Sequence, residues 1–146
     1  TLRLEDGHFP LLERHLDRLT ASATCFSFVC ERAGIAARLM QLAAMHPTGI
    51  FRVRLTLGRD GDVELTATPL DVQGAAPRTR LASERLQSTD VWLRHKTTVR
   101  ARYDTELKRI AADPDLFDSI FLNERDEVCE GARSNVFIRR RAGERC

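Results

Sequence analysis

The sequence predicts an α+β fold in two parts: two helices backing a strand pair, then a second helix set among short strands. Three observations carry this. Apolar residues recur at helical spacing between residues 10 and 45. From Ile50 the period changes to two, as expected of half-buried strands. A Pro/Gly/Ala-rich stretch at 69–77 then separates this part from the rest.

The first part reads as follows. Residues 1–5 form the tail of a strand, and Asp6-Gly7 the turn out of it. The chain is therefore expected to begin partway through a domain. A helix is predicted over 10–24. Leu12, His15, Leu16 and Leu19 share one face, Ala23 continues it, and Pro10 suits the first turn. His15 reads as a packed structural histidine. Arg18 lies beside the stripe, where it either reaches inward or pairs at the surface with a neighbour such as Asp17. Residues 25–30 are a short apolar connector. A second helix over 31–45 presents Ile35, Leu39, Leu42 and Met45 on one side, and Pro47-Thr48-Gly49 ends it. Strands at 50–57 and from Val63 flank a hairpin turn at 58–61. The resulting division is an α+β subdomain at 1–73, a linker at 74–78 and a second subdomain at 79–146. Because the linker is short, a cleft is expected between the halves.

In the second part a strand is predicted at 79–82 and a turn at 88–90. An extended, partly buried run through Val91, Trp92 and Leu93 leads to Lys96. A helix over 98–112 places Val99, Tyr103, Leu107 and Ile110 on its apolar face, so Tyr103 reads as core. A buried strand at 119–122, a turn at 123–126 and a return strand at 127–129 lead to Glu130. The Gly131–Asn135 turn then enters a strand at 136–138.

Composition narrows the function classes. The 42% hydrophobic and 30% charged content is ordinary for a globular domain. A net charge of +2, with basic residues dispersed outside the Arg139–Arg141 run, argues against a nucleic-acid partner. No apolar run approaches the roughly 20 residues of a membrane span, and no signal peptide pattern is present. A cytoplasmic protein without membrane contact is the expectation. Cys25, Cys30, Cys129 and Cys146 lack metal-type spacing, so reduced thiols and no metal are expected.

Only two of the 23 Lys+Arg residues are lysines, Lys96 and Lys108, so any amine chemistry falls to one of them. Lys108 sits mid-helix beside Arg109, on what reads as a solvated face. Lys96 follows an apolar segment and precedes two threonines. Its position admits either a desolvated Schiff-base nucleophile or a chain snorkelling at the core edge. Glu130, on a Glu-Gly turn, either faces a cleft and pairs with a cation or is simply solvated.

The combination is more specific than its pieces. His95-Lys96-Thr97-Thr98, followed 34 positions after Lys96 by Glu130-Gly131-Ala132-Arg133-Ser134-Asn135-Val136-Phe137, resembles the fold-type IV pyridoxal-phosphate enzymes. Residues 2–7, followed by 10–19, look like the lead into that group's first helix, and the likeness covers roughly residues 1–140. It is strongest to 4-amino-4-deoxychorismate lyases and the lyase-like domain fused to aminodeoxychorismate synthase. The resemblance implies a two-part class IV aminotransferase-like fold, an N-terminal α/β sandwich plus part of a barrel-like domain, with the cofactor cleft between them. It implies pyridoxal 5'-phosphate as cofactor, Lys96 as the Schiff-base lysine, Glu130 at the pyridine nitrogen and Arg18 at the phosphate. Asn135 would fix the turn carrying Glu130, Ser134 would add a polar contact, and Arg100 matches a substrate-binding arginine of the lyase pattern. The implied reaction is release of pyruvate to form 4-aminobenzoate for folate synthesis. Branched-chain or D-amino-acid transamination uses the same residues and stays open. A homodimer, or fusion to or association with aminodeoxychorismate synthase, is the implied assembly. The group's chains continue beyond this one, carrying further phosphate-binding turns, so a truncated, catalytically silent piece or interaction module is the competing expectation.

Overall fold

A computed structural model of the chain describes residues 1–70 and 78–137. Most of the expected linker, the Ile138 end of the last predicted strand, the Arg139–Arg141 run and Cys146 lie outside the described residues. The chain divides into two compact units, Thr1–Gln73 and Gly74–Cys146.

The first unit is a three-stranded antiparallel sheet backed by two helices. Strands β1 (Leu2–Glu5), β2 (Ile50–Leu57) and β3 (Val63–Pro69) lie in that order, with Leu2 opposite Val53 and Val53 opposite Ala67. Alternation sorts the two faces. Leu2, Leu4 and Val53 are buried, while Arg3, Arg52 and Thr68 form an exposed row on the other face. Helix α1 (Leu12–Cys25) buries Leu16 and Ala23. Helix α2 (Arg32–Met45) starts where the Glu31 side chain accepts a hydrogen bond from the Gly34 amide, a local N-cap. Its buried stripe is Ile35, Leu39 and Ala43, every fourth residue. Met45, expected on that stripe, is the last residue of the helix, beyond the buried Ala43, and is 73% exposed.

The second unit has a parallel pair and an antiparallel pair. Strand β4 (Arg78–Leu86) lies parallel to β5 (Leu116–Asn123), and β6 (Val128–Gly131) returns antiparallel to β5. A parallel pair needs a crossover, supplied here by helix α3 (Ala101–Ile110), which packs against β5. Ala82, Leu86, Phe121 and Ala132 form the core, with Leu93, Tyr103, Leu107 and Cys129 packed on it.

Several local expectations need correction here. The segment before Lys96 is not extended: Asp90 accepts a hydrogen bond from the Trp92 amide and starts a single 3-10 turn over Val91–Arg94. Val91 and Trp92 are exposed rather than partly buried. Helix α3 begins at Ala101, because the Thr97 hydroxyl accepts from the Val99 amide and competes with helical bonding. Val99 is thus left outside the helix and exposed. Its place on the inner face is taken by the buried Glu106. Val136 and Phe137 form no strand and are exposed.

Leu39 is fully buried at the centre of the first unit's core. Leu39→Ala should destabilise that unit by about 2–5 kcal/mol, read as a lower urea midpoint. Met40→Ala, one residue on and exposed, should leave the midpoint within about 0.5 kcal/mol of wild type.

Candidate active site

The site grows from a ladder register. Glu130 on β6 stands opposite Phe121 on β5, so their side chains share a face of the sheet. Helix α3 covers that face. Tyr103 packs edge-on against Phe121, ring centroids 5.4 Å apart, and its hydroxyl donates to Glu130 Oε1 at 2.6 Å. The other carboxylate oxygen, Oε2, accepts from Lys96 Nζ at 2.9 Å. Glu130 is the better buried partner: its side chain is 19% exposed against 48% for Lys96. Lys96 is therefore not desolvated inside the core, as one reading of its position had it. It reaches its carboxylate from the rim.

Lys96 and Glu130 line two adjoining cavities of about 340 and 420 Å³. Arg100 and Tyr103 line the first with them, and Asn135 and Cys129 the second. Both volumes fall in the range of small-molecule sites. The structure thus brings Lys96, Glu130, Arg100 and Asn135 together around one pair. Lys108 is exposed on α3.

The turn after Glu130 is fixed by a residue the sequence reading did not single out. The fully buried Asp118 carboxylate accepts from the amides of Ser119 (2.8 Å), Arg133 (3.2 Å) and Ser134 (2.9 Å) and from the Ser134 hydroxyl. Ser134 is thereby committed to Asp118 rather than to a cavity. Asp118, not Asn135, holds the turn, since Asn135 is exposed. Gly131 follows from the same packing. A Cβ there would lie 2.5 Å from Asp118 Oδ2, 2.6 Å from Ser134 Oγ and 2.9 Å from the Ser134 carbonyl oxygen. The signal available in the sequence was an acid inside the apolar run Leu116-Phe117-Asp118-Ser119-Ile120-Phe121.

Arg100 is tied to the same turn. It caps α3, donates through Nη2 to the Ala132 carbonyl at 2.6 Å, and its guanidinium carbon lies 5.2 Å from the centre of the Tyr103 ring. Tyr103, read as core, is both core and cavity wall. Burial, then its hydrogen bond to Glu130 and that carboxylate's charge, push its phenol well above the ordinary value. Arg102 and Arg100 act in the opposite direction.

Arg18 belongs to the first unit. It is exposed, and its Nη2 lies 3.3 Å from His15 Nδ1. A guanidinium has no acceptor, so Nδ1 must be the unprotonated nitrogen. His15 has its pKa lowered by burial first and by the Arg18 charge second, which suits that acceptor role.

A chain that turns a lysine onto a Glu-Gly carboxylate beside a crossover helix has the form expected of the fold-type IV group. The sequence model for amino-transferase class IV matches residues 1–143, and the chain belongs to that family. Solved structures agree. A protein from Mesorhizobium loti, provisionally assigned as an amino-acid aminotransferase, superimposes with a TM-score of 0.74 at 34% identity. The match covers 90% of this chain and 64% of that one. A provisionally assigned branched-chain amino acid aminotransferase from Thermotoga maritima gives 0.76 at 21% identity, over 90% of this chain and 48% of that one. The 4-amino-4-deoxychorismate lyase from Pseudomonas aeruginosa gives 0.71 at 21% identity, over 92% and 55%. The latter two establish the fold alone. This chain spans about half to two-thirds of the length of these proteins. No curated protein matches the sequence. Among the described residues, no helix is long and apolar enough to cross a membrane.

Gly131→Ala should cost about 1–3 kcal/mol through overpacking against the Asp118 clamp. The loss would appear as a lower unfolding midpoint, while Gly58→Ala, whose Cβ meets nothing closer than 3.4 Å, should cost less.

Proposed function

We propose that this chain carries the cofactor lysine and pyridine-facing carboxylate of a pyridoxal-phosphate-dependent 4-amino-4-deoxychorismate lyase. The observation that carries the reading is the Lys96 Nζ–Glu130 Oε2 pair, 2.9 Å apart, on the wall of a cavity. The donor set suits this cofactor: a primary amine can condense with its aldehyde, and a carboxylate can accept from its protonated ring nitrogen. When bound, pyridoxal phosphate supplies an electron sink for negative charge on the carbon bearing the substrate amine. The other roles belong to side chains of this chain. Lys96 would be the base for the proton on that carbon. Glu130 keeps the ring nitrogen protonated. Arg18 is the phosphate-binding cation, and Arg100 and Asn135 border the substrate.

In the lyase reaction, loss of that proton makes the ring aromatic and expels the enolpyruvyl group. A proton returned to the departing fragment gives pyruvate, so no further reactant is needed. His95-Lys96-Thr97-Thr98 favours this outcome. The second reading is amino-acid transamination, favoured by the 34% identity to the Mesorhizobium loti protein. Both readings share a cytoplasmic setting and either a homodimer or a partnership with aminodeoxychorismate synthase as the assembly.

The test is borohydride trapping. The chain is mixed with pyridoxal phosphate, reduced, and digested for peptide mapping. Label on Lys96 and not on Lys108 is the expected result. Pyruvate and 4-aminobenzoate formation is then assayed against amino-group transfer to a 2-oxo acid. Equal label on both lysines, or none, would overturn the reading and leave a fold-type IV piece without cofactor chemistry of its own.

A further inference from the structure

The search turns on a hydrogen bond that the cofactor chemistry above does not use. Glu130 has two oxygens with two different partners. Oε1 takes the Tyr103 hydroxyl at 2.6 Å and Oε2 takes Lys96 Nζ at 2.9 Å. The two partners differ in how firmly they are held. Lys96 is an unbranched chain with a half-exposed amine. Tyr103 is held by its own packing, edge-on to the fully buried Phe121 and beneath the Arg100 guanidinium. Arg100 in turn is tied to the Ala132 carbonyl, two residues beyond Glu130. A cofactor held by both Glu130 and Lys96 would have to separate two groups that are now hydrogen-bonded. One of the two bonds to Glu130 would have to open, and the more exposed partner is the Lys96 amine.

We propose that Tyr103 is the positioning residue of this site: its hydroxyl anchors Glu130 through Oε1, so that Oε2 alone exchanges partners, from Lys96 to the cofactor's ring N–H. The proposal rests on the reading of Lys96 and Glu130 given above. Tyr103 touches neither reacting atom, so its role is exerted through the carboxylate. The raised phenol pKa suits the role, because the hydroxyl keeps its proton, and its place as donor, under alkaline conditions in which a free phenol would ionise. Phenylalanine would keep the packing on Phe121 and lose only the donor.

Two features of the sequence make the test direct. Tyr103 is the sole tyrosine, and Lys96 and Lys108 are the only lysines. Phenolate absorbance therefore reports Tyr103 alone, and Lys108 is an internal standard for the reactivity of Lys96. In the cofactor-free protein, Glu130→Gln removes the charge that helps hold the phenol proton. The tyrosine titration should move down toward the ordinary phenol value. In Tyr103→Phe, the carboxylate loses its anchor and spends less time on Lys96, so acylation of Lys96 relative to Lys108 should rise severalfold. Pyridoxal-phosphate affinity should weaken about tenfold, the loss of one hydrogen bond to a charged group. A Tyr103 titration identical in wild type and Glu130→Gln, or an unchanged Lys96:Lys108 ratio in Tyr103→Phe, would overturn the proposal without reference to the cofactor. Wild type that binds pyridoxal phosphate no better than Tyr103→Phe does, with Lys96 trapped in both, would also overturn it. Wild type that traps no cofactor removes the underlying reading instead, and the two failures are thus distinct.

Discussion

A carboxylate with no access to water needs donors on both oxygens, and Asp118 finds four: the next amide on its own strand, at Ser119, and two amides and a hydroxyl from the 133–134 turn. Bonds to a charged group are worth about 1.5–3 kcal/mol each. The 132–134 turn can hardly leave them while the unit is folded. Glu130 sits just before that turn, so its backbone inherits the turn's rigidity. The glycine at 131 follows from the same constraint, since any side chain would occupy the space the Asp118 and Ser134 oxygens already fill. The Glu-Gly dipeptide is therefore one packing problem, with the carboxylate on its outer side and the clamp on its inner side.

The covering helix is fixed by a second buried acid. Glu106 on α3 accepts from the Ser119 hydroxyl at 3.0 Å and from Arg109 at 3.2 Å, with Arg80 on β4 at 3.7 Å. A buried acid left alone would be costly, but here it is satisfied by a strand residue and two arginines. The contact sets α3 against β5 next to Asp118, because Ser119 is its neighbour in the strand. Tyr103 lies three residues before Glu106, on the same helical face. The position of the phenol over Glu130 is thus a consequence of how Glu106 seats the helix.

Much of this fold was legible from periodicity. The helices of the first unit, the hairpin and the buried β5 strand follow from apolar spacing alone. What failed has a common cause. Asp90 and Thr97 use their side chains on nearby amides, which turns an expected extended segment into a 3-10 turn and delays α3. Periodicity counts apolar residues and cannot see such local competition. The same blindness explains Val99, exposed where Glu106 is buried. In the site, Lys96 and Glu130 were legible as a motif, and Arg100 as a candidate. The supporting residues were not: an acid inside an apolar run sets Asp118 apart, but what it holds shows only when its donors, 15 and 16 residues away, are in view.

The two halves of the site differ in strength, and the difference bears on chemistry. Asp118 and its donors are buried, so the clamp is stiff. The Lys96–Glu130 pair has a half-exposed lysine, and such pairs contribute only about 0–1 kcal/mol. In the proposed role of Lys96, opening it would be a small cost beside a covalent bond formed at the same amine. A stronger, fully buried pair would hold the lysine away from any incoming group. In the role proposed for it, a lysine that must release its partner to react is better placed at the rim than in the core, and Lys96 stands at the rim.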